Sequence, residues 1–357
     1  MPRTPIVFFL ALLALAFTGC KTSAGKAVRL TELPEHRPVE APVRVVPRPL
    51  PKPVVPPPAA EKHDPETSAW ISWQSWSQGQ GFGNPQRIVS APNYYQLKTT
   101  RGTLTLAPGS HLAYWNGLEH WLGFAPFLTN GQIFVHSLDA QKNFLPLLSA
   151  SERSPGNNRI VVLDPGHGGE NSGTRSVLNE RLEKEFTLDW ALRLRPLLAA
   201  QGWTVLLTRT NDIDVSLSNR VAFAELHQAD LFLSLHFNSA PSKKDQSGLE
   251  TYCLTPAGMA SNLTRGFEDD AALVLPNNAF DAQNIQYASR VHRALVRITG
   301  RTDRGVRRAR FMGVLRGQNR PAVLLEAGYL SNPQEASLIA SSDYRRKLAE
   351  AVASALE

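Results

Sequence analysis

From residue 160 to the C-terminus, short and wholly apolar runs alternate with longer stretches whose apolar residues recur three and four positions apart. The first pattern is that of a strand buried on both faces, and the second that of a helix with one face in a core. On this reading strands fall at 160–163, 204–208, 231–235 and 321–325. Helices fall at 184–200, 217–226, 288–298 and from Tyr344 onward. Ser216 stands where an N-cap is wanted for the second helix. Pro196 lies inside the first, where its missing N–H is expected to kink the helix or end it early. Alternating strands and helices of these lengths predict an α/β class, a twisted sheet flanked by helices.

Three of the strands run into polar residues of one kind. His167 lies just past the first strand, His236 follows 231–235, and Glu326 follows 321–325. Ligands of open α/β sheets gather at the carboxyl ends of strands, so separate segments can deliver these side chains to one place. Gly166, Gly168 and Gly169 flank His167 and strip bulk from around the imidazole. Two histidines and one carboxylate are a normal ligand set for a catalytic zinc, with a position left for water. Glu180, Glu183 and Glu185 all lie within reach as the third ligand, and spacing alone does not choose among them.

The chain of 357 residues, 42% apolar and 19% charged, is long enough for two folded units with extras. Residues 1–20 carry Arg3, an apolar run and then Phe17-Thr-Gly-Cys20, which read as a secretory signal with a lipobox-like end. Cys20 is then a lipidated first residue, and Lys21 after it favours delivery to the outer membrane, by analogy with Gram-negative lipoproteins. With Cys20 so used, Cys253 has no disulfide partner and reads as a small buried residue. The proline-dominated stretch within 21–66 is an extended spacer. Residues 67–150 hold two Asn-Gly hairpin signals, at Asn116-Gly117 and Asn130-Gly131, and predict a small β-rich α+β domain. The linker 149–158 separates it from the unit at 155–357. Lysine and arginine exceed the acids by seven. That mild basicity suits anionic lipid or a carboxylate-rich polymer, and an exported chain without a dense basic stripe excludes nucleic acid.

Four ordered stretches carry a resemblance. They are Val161-Val-Leu-Asp-Pro-Gly-His-Gly-Gly169, Leu182-Glu-Lys-Glu-Phe-Thr-Leu188, Ala229-Asp-Leu-Phe-Leu-Ser-Leu-His-Phe-Asn-Ser239 and Pro321-Ala-Val-Leu-Leu-Glu-Ala-Gly-Tyr-Leu-Ser-Asn332. Together they resemble the zinc-dependent N-acetylmuramoyl-L-alanine amidases of the amidase 3 family. The resemblance implies one Zn2+ held by His167, Glu183 and His236, with Glu326 as general base and acid. It also implies hydrolysis of the amide joining the lactyl group of N-acetylmuramic acid to L-alanine, with peptidoglycan as substrate, a periplasmic address and a role in wall remodelling and daughter-cell separation. Phe237 stands where a small residue is usual, which places it as a candidate to narrow the substrate groove. Glu225 stands where Asn is common.

Two alternatives share the residues: a zinc peptidase cutting within the stem peptide, and a non-catalytic wall-binding lipoprotein. The intact set of His167, Glu183, His236 and Glu326 argues against the second. Segment 67–150, with Leu104-Thr-Leu-Ala-Pro-Gly-Ser110 and Phe144-Leu-Pro-Leu-Leu148, resembles the small N-terminal domain of copper amine oxidases. His111, His120, His136, His227 and His292 fit no ligand pattern and read as structural or surface residues. The basic run Arg304–Arg310 reads either as a grip on stem-peptide carboxylates or as a solvated face. The segment after Leu254 lacks strand character for some thirty residues and is expected near the zinc end, as a groove wall or as a lid released by an activating partner.

Overall fold

Alternation of side chains along the central strands sorts the core into two layers, one on each face of a sheet. A computed structural model of the chain describes residues 69–149, 159–264 and 269–357. The signal with Cys20, the proline-rich spacer and most of the 149–158 linker lie outside the described residues. All described residues belong to one compact unit.

The N-terminal part contains β1 (Trp70–Ser72), α1 (Trp73–Gly79), β2 (Gln86–Arg87), β3 (Tyr95–Thr99), β4 (Gly102–Leu106), β5 (Leu112–Trp115), β6 (Leu118–Trp121), β7 (Phe127–Thr129) and β8 (Gln132–His136). It closes with α2 (Ser137–Asp139), a π-helical turn at Ala140–Phe144 and α3 (Leu145–Leu148). The two expected hairpins form: Asn116 and Gly117 join β5 to β6 at φ 52° and 82°, and Asn130 and Gly131 join β7 to β8 at φ 48° and 74°. Positive φ at both central residues is what a type I′ turn demands.

The C-terminal part continues with β9 (Ile160–Pro165), α4 (Glu183–Ala200), β10 (Thr204–Leu207), α5 (Leu217–Leu226), β11 (Leu231–Asn238), β12 (Leu249–Cys253) and α6 (Asp281–Thr299). Then come β13 (Asp303–Arg308), α7 (Gly313–Arg316), β14 (Ala322–Tyr329), α8 (Pro333–Ala340) and α9 (Ser342–Ala355). Strands β10, β9, β11 and β14 are parallel neighbours; β12 runs antiparallel to β14, and β13 parallel to β12. Val161, Leu163, Leu233, Leu235, Val323 and Leu325 face one cluster with Phe186, Trp190 and Leu348 from the helices. Val162, Phe232, Ala322 and Leu324 face another with Ala224, Val314 and Leu315. This is the expected mixed α/β sheet between helices.

The sheet does not stop at β13. Its outer edge meets β6 in parallel at Val306 and His120, and the order runs on through β5, β4, β3 and β2 to make eleven strands. The core is continuous too, since Trp73, Leu97, Leu104 and Trp115 belong to the same buried cluster as the helices α4, α6 and α9.

Several expected boundaries shift. β11 and β14 run three and four residues beyond their apolar runs, so His236 and Glu326 lie within strands rather than after them. Helix α4 does not end at Pro196 but continues to Ala200. Helix α6 begins at Asp281, seven residues before the expected start at 288. The long segment after Leu254 does not leave the sheet at the end that carries His167, contrary to expectation. Because β12 pairs antiparallel with β14, Glu250 lies opposite Glu326 and Tyr252 opposite Leu324, so the chain leaves β12 at the far pole of the sheet. There Met259 is fully buried and Asn262 bonds Arg308 and the Leu122 carbonyl, so the described residues of the segment form neither a groove wall nor a lid over His167. No helix among the described residues is long and apolar enough to cross a membrane.

Candidate metal centre

The chain turns off β9 through Pro165 and Gly166 into His167, which adopts φ 63°. Two buried arginines hold this turn. Arg220 donates to Asp164 Oδ1 (2.6 Å), the Pro165 carbonyl (2.9 Å) and the His167 carbonyl (2.7 Å). Arg209 donates to the carbonyls of Pro165 (3.0 Å) and Gly166 (2.9 Å). Asp164 also accepts from Thr208 and Ser234, so the end of β9 is pinned to both neighbouring strands. Buried backbone acceptors that leave the ladder are satisfied here by side chains.

The glycines make room for the cluster. A Cβ on Gly166 would lie 2.2 Å from the His236 ring, and one on Gly173 would lie 2.7 Å from both Glu183 Oε2 and the His167 ring. Any side chain at either position would displace the groups beside it.

His167, Glu183 and His236 each present a ligand-type atom within 4.8 Å of the others, and they are the one such group among the described residues. His167 Nε2 lies 3.2 Å from Glu183 Oε2, and His236 Nδ1 lies 3.0 Å from Glu183 Oε1. The imidazole rings meet edge to face, with centroids 4.9 Å apart. Glu183 opens α4, where the helix N-terminus favours a carboxylate, and it accepts backbone N–H bonds from Thr174 and Phe237, both 3.0 Å. Burial works against its charge, but His167 and His236 outweigh that and hold its carboxyl well below the ordinary range. For His167 burial also opposes the charge, and the Glu183 carboxylate overcomes it, so the ring sits above its ordinary value. Asn171 Oδ1, 2.9 Å from His167 Nδ1, orients the ring and leaves Nε2 facing Glu183.

Of the other two acids considered, Glu180 is exposed and pairs with Arg175. Glu185 accepts from the Leu182 backbone N–H and from Arg181, as a helix N-terminal cap. Neither joins the cluster.

Glu326 sits beside it. In the register of β11 and β14 it lies opposite His236, and across β12 it lies opposite Glu250. Its Oε2 is buried without a hydrogen-bond partner. Burial first, then the charges of Glu183 and Glu250, push its carboxyl well above the ordinary range.

Phe237 does not narrow any groove. Successive strand residues point to opposite faces, so with His236 towards the cluster Phe237 turns into the core, 1% exposed, against Phe186 and Trp190. The basic run is neither a carboxylate grip nor a solvated face. Arg308 and Arg310 are fully buried, binding Asn143 and Asp269 as well as main-chain carbonyls, while Arg304 and Arg307 pair with Glu250. His120 and His292 are buried, His292 between Thr251 and Asp303, as structural residues. Asn171, Arg220 and Glu250 are members of the site that sequence reasoning did not single out, because nothing in their local spacing separates them from other polar residues.

Residues 161–357 match the family model Amidase_3, N-acetylmuramoyl-L-alanine amidase. The chain belongs to that family. Its amidase segment is 29% identical over 212 residues to the germination-specific N-acetylmuramoyl-L-alanine amidase of Bacillus subtilis (strain 168), covering 56% of this chain and 78% of that one. It is 34% identical over 200 residues to the N-acetylmuramoyl-L-alanine amidase LytC of the same organism, covering 56% of this chain and 35% of that one. Among solved structures, the catalytic domain of CwlV, an N-acetylmuramoyl-L-alanine amidase from Bacillus (Paenibacillus) polymyxa var. colistinus, is 31% identical with a TM-score of 0.46, covering 56% of this chain and 96% of that one. The amidase cleaves the amide between N-acetylmuramic acid and the L-alanine of the stem peptide.

Proposed function

We propose that His167, Glu183 and His236 hold one zinc ion and that Glu326 is the general base and acid of the hydrolysis. The observation that carries this is the convergence of three ligand-type atoms beside the unpartnered Oε2 of Glu326. The donor set fits the metal: two imidazoles and a carboxylate leave one position free. Zinc bound there supplies Lewis acidity, which acidifies water and polarises an amide carbonyl.

The chain supplies the proton traffic and the alignment. Glu326 Oε2 takes a proton from the attacking water and returns it to the nitrogen of the departing L-alanine. Its buried position beside Glu183 and Glu250 favours holding that proton between the two transfers. Asn171 fixes the His167 ring, and the Thr174 and Phe237 N–H groups fix Glu183.

The reading is tested by metal analysis and wall digestion together. His167→Ala, Glu183→Ala and His236→Ala are expected to lose metal and hydrolysis in parallel, whereas Glu180→Ala and Glu185→Ala keep both. Full zinc content in Glu183→Ala overturns the ligand set.

The remaining parts extend this reading. Residues 1–20 export the chain to the periplasm, and Cys20 is lipidated and anchors it to the outer membrane of a Gram-negative cell. Segment 21–66 spans from the membrane towards the wall, 67–150 is an accessory domain similar to that of copper amine oxidases, and 155–357 is the catalytic domain. The products, free stem peptide and bare glycan, suit wall remodelling and daughter-cell separation, with room for an activator protein. Incorporation of labelled palmitate that persists in Cys20→Ser would remove the anchor from this account.

A further inference from the structure

Three arginines converge where the N-terminal part meets α6. Arg290 and Arg293 project from the helix, and Arg101 comes from the turn between β3 and β4. They line an open cleft of about 170 Å3, with Trp115 and Pro146 as apolar walls and Ser289 next to Arg290 on the helix. Arg290 and Arg293, three residues apart, share one face of α6.

No acidic residue lines the cleft, whereas many arginines elsewhere in the chain are compensated by one. Arg175, Arg181, Arg193, Arg220 and Arg320 each have a carboxylate partner, as do the arginines of β13 that touch Glu250. Among the described residues, Arg101, Arg290 and Arg293 have none. Arg290 instead lies over the Tyr287 ring at 5.2 Å, which fixes its plane and leaves its N–H groups uncommitted. Guanidinium groups gathered without acids around an apolar wall make a receptor for a planar anion, and a carboxylate accepts two parallel N–H bonds from each. The cleft shares no residue with the cluster of His167, Glu183, His236 and Glu326.

We infer that this cleft is a second peptidoglycan-binding site, which takes a stem-peptide carboxylate while the metal centre works on another stem. The inference rests on the wall as substrate. It gives the N-terminal part a role in holding the polymer. Neither part alone builds the cleft, because Arg101 and Trp115 come from one and Arg290 and Arg293 from the other. A site of this kind holds the enzyme on an insoluble polymer without altering the chemical step.

The test uses the full chain carrying Glu326→Gln, so that sacculi stay intact, with and without the pair Arg290→Gln and Arg293→Gln. Co-sedimentation with purified sacculi is expected to weaken about tenfold or more in the double variant, the loss of charge-assisted hydrogen bonds. Amidating the sacculus carboxylates should weaken the parent and erase the difference. In the background with Glu326 intact, the same pair should leave turnover of a small soluble muropeptide unchanged. Unaltered sacculus binding with a normal melting temperature overturns the inference. So does a double variant that keeps sacculus binding but loses binding to phosphatidylglycerol vesicles, which assigns the cleft to lipid phosphate. If the double variant does not fold, Arg101→Gln, on an exposed turn, must show a smaller loss in the same assay, and no loss there overturns it. Failure of the amidase reading is separate, because it would appear as no turnover of soluble muropeptide by the parent while the sacculus comparison still stands.

Discussion

Glu326 and Glu250 lie directly opposite each other on antiparallel strands, yet one carboxylate is fully engaged and the other is bare on one oxygen. Glu250 accepts from Arg304 (2.8 Å), Tyr252 (2.8 Å), Asn238 (2.9 Å) and Tyr329 (3.0 Å), and despite burial these partners and Arg307 hold it below the ordinary range. Glu326, one strand away, is held above it. On the proposed mechanism, two acids pushed apart in this way would divide the work between a fixed charge and a mobile proton.

Glu326→Gln keeps the shape and removes the proton acceptor. We expect normal metal content and a rate lower by about a hundredfold or more. Single-turnover release of stem peptide at a near-normal rate would assign the proton to another group.

The turn that carries His167 depends on the buried pair of Arg220 and Asp164. Arg220→Ala leaves Asp164 charged and buried and is expected to cost about 3–5 kcal/mol in denaturant unfolding. Because Arg220 also holds the His167 carbonyl, metal affinity should fall with stability. A variant of normal stability would mean that Thr208, Ser234 and Arg209 suffice to hold the turn.

Asp139 gives the fold a pH dependence that does not involve His167, Glu183 or His236. Burial pushes its carboxyl from 3.8 up to about 6, although the Gly123 and Phe124 N–H groups and Asn143 all donate to it. The folded chain therefore binds this proton more tightly than the unfolded chain. Its contribution is complete below pH 3.8 and is lost as pH rises through about 6. That loss amounts to about 3 kcal/mol. Asp139→Asn should flatten the stability profile between these values, and an unchanged slope in unfolding titrations would refute the assignment.

Shortening 257–272 to a Gly-Ser link should not open the active site. Met259 is buried against Gly123, and Asp269 pairs with the buried Arg310, so stability should drop by about 2–5 kcal/mol from the lost core side chain alone. Turnover of a small soluble substrate per folded molecule should be unchanged. Faster turnover would restore the idea of a lid.

The sheet and its ligand ends were legible because β9, β11 and β14 are buried on both faces and therefore write themselves as apolar runs. Their ends were less so, since His236 and Glu326 continue the ladder as polar residues that an apolar pattern cannot extend over. The far position of the described residues after Leu254 was hidden for a different reason. Parallel and antiparallel strands share one local signature, and the direction of β12 is set by its partner Leu324–Glu326 rather than by its own residues. Arg308 and Arg310 looked like a charged surface because their acceptors, Asn143 and the carbonyls of Lys142 and Leu254 for one, and Asp269 with Pro256 and Met259 for the other, are distant along the chain or unmarked in it.

The junction of β13 with β6 bears on how the enzyme can be divided. β13 would be the last strand of the amidase sheet, and it is covered along its open side by β6: Val306 pairs with His120, the Glu119 N–H reaches Asp303 at 2.9 Å, and Arg307 lies over Trp121 at 4.4 Å. An uncovered edge strand is a template for pairing with other chains. A fragment cut at the 150–158 linker would thus carry a bare, adhesive edge, and its self-association would grow with concentration whatever became of its catalytic residues.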